Sequence, residues 1–112
     1  MKSSIKHRAS SIRLGSIAHA RSGDKGSSAN IAVFARTQSA WHFLQKRLTA
    51  AAVKKYFKSL GVKKVERYEV PNLEALNFVL HDVLAGGGSR SLRIDAQGKT
   101  LGQALLEMTF RH

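Results

Sequence analysis

The chain reads as an α+β fold in which a small, mostly antiparallel sheet carries helices on one face. Three observations predict this. Short apolar and β-branched segments recur along the 112 residues, helical periodicity is confined to the stretches between them, and no repeat or linker divides the chain. The length suits one domain with room for a core. A hydrophobic fraction of 43% with a single proline argues for a packed globule over disorder.

Ile12, Leu14 and Ile17 mark a first strand over residues 12–19, and Ile31, Val33 and Phe34 a second over 29–36. The connection, residues 20–28, reads as a loop because glycine and polar residues crowd it. Helical spacing then runs from Ser39 to Leu48, with Leu44 and Leu48 one turn apart. Thr49 is placed to cap a second helix that reaches Leu60, with Ala52, Tyr56 and Leu60 on one face and Gly61 as its terminating glycine. Trp41, Phe43, Tyr56 and Phe57 also fall at helical spacing and read as core. Lys64 to Val70 alternates as a third strand. Pro71 and Asn72 break it and open a third helix, whose Leu73, Leu76, Asn77 and Leu80 share a face and which Gly86-Gly87-Gly88 closes. Ser91 to Asp95 reads as a fourth short strand, and Lys99 to Glu107 as a last helix or helix-strand mixture. The order β-β-α-α-β-α-β-α fits a sandwich of ferredoxin-like type. Residues 1–12, serine-rich with Lys2, Lys6 and Arg8, read as a basic tail ahead of a single domain over 13–112, since they hold too little apolar surface for an amphipathic targeting helix.

Composition narrows the function classes. The chain has no cysteine, which excludes disulfides, thiolate metal sites and a cysteine nucleophile. No stretch approaches the ~20 apolar residues of a membrane span, and no signal-peptide core is visible. The expectation is a protein without a membrane partner, in the cytoplasm or, if the tail belongs to a targeting peptide, in the mitochondrial matrix. The formal charge is +12 and uneven. From Lys25 to Val65 there is no acidic residue, while Lys25, Arg36, Lys46, Arg47, Lys54, Lys55, Lys58, Lys63 and Lys64 supply cations. That pattern suits a polyanion, whether a nucleic acid, an acidic protein or a CoA-type substrate.

The densest chemistry lies in His19-Ala20-Arg21-Ser22-Gly23-Asp24-Lys25-Gly26. Arg21 is a planar cation fork, Lys25 a point cation, Ser22 a hydroxyl and Asp24 a carboxylate. Gly23 and Gly26 allow backbone N–H groups to converge on an oxyanion. The competing reading is a solvated turn in which Asp24 pairs with Lys25 or Arg21. A second cluster combines Gly86-Gly87-Gly88-Ser89-Arg90-Ser91 with Arg93, Asp95, Gly98 and Lys99. Its Gly98-Lys99-Thr100 triplet is not a P-loop, because the glycine required five residues earlier is Arg93. His7, His19, His42, His81 and His112 show no metal-ligand spacing, so no metal and no cofactor are expected. His81 and Asp82 read as a surface or capping pair. His19 is the one histidine beside other reactive groups and a candidate acid or base.

The run from His19 to Gly26, with Asn30-Ile31, Tyr68-Glu-Val-Pro-Asn-Leu, Ala75-Leu-Asn-Phe, Gly86-Gly-Gly and Ser91-Leu-Arg-Ile-Asp-Ala-Gln-Gly-Lys, resembles the ferredoxin-fold domain of the acyclic terpene utilisation (AtuA-like) family. The resemblance spans about Arg13 to Met108. In that family the domain commonly forms the C-terminal part of a longer protein of acyclic terpenoid breakdown through CoA thioesters. The resemblance therefore implies a role in branched acyl-CoA or related acid metabolism. The free-standing layout and the basic extension favour a small subunit, able to form a homo-oligomer, beside a larger AtuA-like catalytic subunit.

Two function classes follow. In the first, the chain is a small subunit or ligand-binding module of a hydratase- or lyase-like acyl-CoA enzyme. Arg21, Ser22, Lys25, Gly26 and Asn30 then face an acyl-CoA or carboxylate ligand, with Ser91, Arg93, Asp95 and Lys99 joining them around one pocket. Asp24 or His19 moves a proton while Arg21 or Lys25 steadies an oxyanion. Asn72 reads as a helix N-cap, with ligand contact as its alternative. In the second class the chain is a basic scaffold for RNA or a ribonucleoprotein, bound across Lys46–Lys64. The place where an anion binds separates the two.

Overall fold

The computed structural model describes residues 11–25, 27–83 and 100–111. Strand β1 (Ser11–Arg13) leads through a single helical turn, α1 (Leu14–Ile17), into a hairpin of β2 (Ala18–Lys25) and β3 (Ser28–Ala35). Helices α2 (Gln38–Arg47) and α3 (Ala50–Tyr56) follow, then a 3₁₀ turn at Lys58–Leu60 and strand β4 (Lys64–Val70). A second 3₁₀ turn, Pro71–Leu73, connects to β5 (Ala75–His81). Then come α4 (Leu101–Leu105) and β6 (Thr109–Arg111).

The main sheet has four antiparallel strands in the order β2-β3-β5-β4, and β1 pairs with β6 in a separate two-stranded ribbon. One face of the main sheet carries the core. Ile31 and Val33 from β3 and Leu76, Phe78 and Leu80 from β5 are fully buried against Trp41, Leu44 and Leu48, Val53 and Phe57, and Leu101 and Leu105. Each such side chain contributes about 1.5–3 kcal/mol by leaving water. The helices therefore share one face, the α+β arrangement the sequence predicts.

Several local expectations hold for stated reasons. The Thr49 hydroxyl accepts from the Ala52 N–H at 3.0 Å, capping α3, and Gly61 closes the following turn at φ 75, in the left-handed region where a Cβ is strained. Leu44 and Leu48 are buried, as are Trp41 and Phe57, while Phe43 packs partly buried against the core. A feature not expected from the sequence, a reciprocal capping box of Thr100 and Gln103, starts α4.

Others are corrected. Residues 20–28 are not a loop: β2 continues to Lys25, which pairs with Ser28 to close the hairpin. The inward positions of β2 are Ala18, Ala20 and Ser22, too small to announce a strand by hydrophobicity, and the outward ones face water. The first strand is interrupted by α1, so its two parts join different sheets. Residues from Ala75 to His81 form a strand and not a helix. Leu76 and Leu80 satisfy both a helical and a two-residue period, but buried Phe78 between them satisfies only the latter. With no helix there, Asn72 caps nothing; it sits exposed inside the Pro71–Leu73 turn. In α3 the buried residue is Val53, with Phe57 following, so the inward face is one position off the expected Ala52/Tyr56 stripe, and Tyr56 is 37% exposed. The Gly86–Gly88 closure, the Ser91–Asp95 strand and residues 1–10 of the expected tail over 1–12 lie outside the described residues, while Ser11 and Ile12 are not tail but the start of β1, paired with Arg111 and Phe110.

Candidate functional site

Among the described residues nothing covers the face of the sheet opposite the helices, here called the open face, and strand register dictates what stands on it. Directly opposed residues of antiparallel strands share a face. Three rows cross it. His19, Phe34, Ala75 and Val70 form one, Arg21, Ala32, Asn77 and Tyr68 the next, and Gly23, Asn30, Val79 and Glu66 the third. Lys25 opposes Ser28 at one corner, and Lys64 opposes His81 at another.

His19 is exposed and stacks flat on Phe34, with ring centroids 5.0 Å apart and an interplanar angle of 11°. Arg21, also exposed, is separated from Asn77 in its row only by the methyl of Ala32. In the third row the Asn30 carboxamide lies over Gly23. A Cβ on Gly23 would meet Asn30 Oδ1 at 3.2 Å, so the glycine makes room for it. The same carboxamide donates from Nδ2 to Asn77 Oδ1 at 3.2 Å. Ser28, Ala29, Asn30, Asn77 and Val79 line a pocket of about 230 Å³ at this place.

Beyond it Glu66 accepts from the Tyr68 hydroxyl at 3.0 Å and lies 3.0 Å from His81 Nε2, with Lys64 Nζ at 3.4 Å. The hydrogen bonds from His81 and Tyr68 hold the Glu66 carboxyl below the usual carboxylate range, and the nearby Lys64 ammonium adds to this. The same contact raises the Tyr68 phenol, whose ionised form would face the Glu66 charge.

The candidate residues separate cleanly. His19, Arg21 and Asn30 share the open face, and Lys25 pairs with Ser28 at the end of the hairpin. Ser22 and Asp24 occupy the alternate positions of β2, paired with Ile31 and Ala29 of the core-facing row. The Ser22 hydroxyl accepts from the Gly102 N–H at 3.1 Å, tying β2 to the first turn of α4. His19 and Asp24 are thus on opposite faces and about 16 Å apart along the strand, too far to serve one proton transfer. Asn72 lies in the turn beside the His19 row, away from the pocket. Gly26, Ser91, Arg93, Asp95 and Lys99 lie outside the described residues, and with them the expected meeting of the two glycine clusters. His81 joins Glu66 and not Asp82. Asn77, Tyr68, Glu66 and His81 are additional polar residues of the face. The alternation of Asn77, Val79 and His81 with Leu76, Phe78 and Leu80 carried their signal.

The cations of the helical segment lie on the other side of the molecule. Lys46, Lys54, Lys55 and Lys58 are exposed on or just after the helices that cover the core. Among the described residues no group of histidines and acids is arranged to hold a metal ion, and no helix is long and apolar enough to cross a membrane.

A two-layer α+β domain, a four-stranded antiparallel sheet with helices on one face, defines the class. A family model described as the AtuA ferredoxin-like domain matches residues 12–111, and the chain belongs to that family. No curated protein and no solved structure matches it.

Proposed function

We propose that the chain is a ligand-binding module, or small subunit, of an acyl-CoA-processing enzyme of the hydratase or lyase type, acting beside a larger AtuA-like catalytic subunit. The carrying observation is the open face, where Arg21 and Asn77 share a row next to the pocket formed by Ser28, Asn30, Asn77 and Val79. Family membership supports the substrate class, since the resemblance implies branched acyl-CoA or related acids. A cavity of about 230 Å³ is below the usual span of small-molecule sites and suits the acyl or carboxylate end of a ligand, not a nucleotide. Arg21 supplies a planar cation for a carboxylate or phosphate.

Titration of 3-methylbutanoate and 3-methylbutanoyl-CoA into the ¹⁵N-labelled protein tests this reading. Shifts should map to the open face, and Arg21→Ala should weaken binding tenfold or more at unchanged melting temperature, because its side chain is exposed. A Lys54/Lys55/Lys58→Gln variant should bind as well as the parent. The alternative, an RNA or ribonucleoprotein scaffold, rests on the exposed lysines of the helical side. Tight, salt-resistant RNA binding that is lost in the lysine variant and indifferent to Arg21 would overturn the module reading, since binding by counterion release alone collapses with added salt.

A further inference from the structure

The pocket's polarity is set by a chain of amides across three strands. Asn30 on β3 points Oδ1 over Gly23 of β2 and donates Nδ2 to Asn77 Oδ1 on β5. With its carbonyl oxygen engaged by Asn30, the Asn77 carboxamide turns its own Nδ2 the other way. Among the described residues nothing accepts from that group, and both asparagines line the pocket. Among the described residues no unpartnered side-chain donor is sealed from solvent, so the Asn77 N–H₂ reaches water and can exchange it for a ligand acceptor. The sheet keeps the arrangement in register, because Asn30 faces Gly23 and Val79 directly while Asn77 lies one row away, next to Ala32.

Resting on the proposed ligand class, we propose that Asn77 Nδ2 is the donor that grips the ligand's acyl oxygen, a carboxylate or thioester carbonyl, and that Asn30 is the residue that positions it. The pocket then accepts an acceptor group and rejects an ammonium of the same shape, which would meet another donor and, one row away, the Arg21 cation. Gly23 belongs to the device because any side chain there would displace Asn30 Oδ1. Asn30 acts through Asn77 and not on the ligand.

The test is a double-mutant cycle read by NMR and calorimetry with three probes: 3-methylbutanoate, its CoA thioester and 3-methylbutylamine. The side-chain amide signals of Asn77 should shift with the first two and not with the amine. Asn77→Ala should weaken acid binding tenfold or more, and the isosteric Asn77→Asp, which keeps the side chain's shape while replacing N–H₂ by oxygen, at least as much. Asn30→Ala should weaken it in the parent but have no further effect in the Asn77→Ala background, as coupled residues require. Equal binding of the amine, full affinity in Asn77→Asp, or additive losses from Asn30 and Asn77 would overturn the inference while leaving the module reading in place if the acids still bind the open face. Absence of binding by all three probes would overturn both.

Discussion

Ser22 is the polar residue whose role the tertiary structure most changes, and its removal gives a quantitative test. In Ser22→Ala the Gly102 N–H loses the hydroxyl it donates to at 3.1 Å. Gly102 is buried in the first turn of α4, where the helix offers no carbonyl to that N–H. An orphaned buried donor costs about 1–3 kcal/mol, and for a domain of this size each kcal/mol lowers the melting temperature by about 4–8 °C. The same contact is tight from the other side. A Cβ on Gly102 would stand 3.3 Å from Ser22 Oγ and 3.4 Å from the Arg21 carbonyl carbon, so Gly102→Ala must push the hydroxyl aside. Because both substitutions act on one contact, the double variant should cost less than the sum of the singles. Urea denaturation followed by circular dichroism measures all three, and acid titration measures whether the open face is disturbed. Unchanged stability in Ser22→Ala together with lost ligand affinity would refute the reasoning and return Ser22 to the ligand.

Arg67 should prove a stability residue: its Nη1 donates to the Gln45 and Leu48 carbonyls at 3.1 and 2.9 Å, at the end of α2, and its Nη2 to Glu69 Oε2 at 2.7 Å. Arg67→Ala should cost about 1–3 kcal/mol by urea midpoint, and Arg67→Lys should recover only part of it, since an ammonium cannot reproduce the fork. Glu66 predicts an acid limb. Its carboxyl is lowered from 4.5 by His81 and Tyr68, so the stability it contributes is present above pH 4.5 and is lost as the pH falls through its lowered value; Glu66→Gln should flatten the stability profile in that window. Thr49→Ala should cost about 1 kcal/mol through its lost cap. Asn72→Ala should stay within about 0.5 kcal/mol of the parent in the same melt, since Asn72 is exposed and caps nothing.

Local chemistry was legible wherever a residue acts on its own neighbours. Thr49 caps and Gly61 terminates because a hydroxyl at an N-cap and a glycine in the left-handed region need nothing from the rest of the chain. Strands with large inward side chains, such as β3, announced themselves, and the ordered motifs carried the family. What depended on the partner across a gap was not legible. Ala18, Ala20 and Ser22 face inward through their pairing with β3, and Ser22 stands against Gly102 of α4, which no local pattern announces; Leu76 and Leu80 fit two periods until β3 and β4 pair on either side. The polar run likewise names good ligand-binding chemistry without its direction. Side chains alternate along a strand, so a cluster that is contiguous in sequence is split between two faces: Arg21 goes to the open side with Asn30 and Asn77, and Ser22 and Asp24 to the other. Sequence supplied the composition of the site, and strand register alone decided its membership.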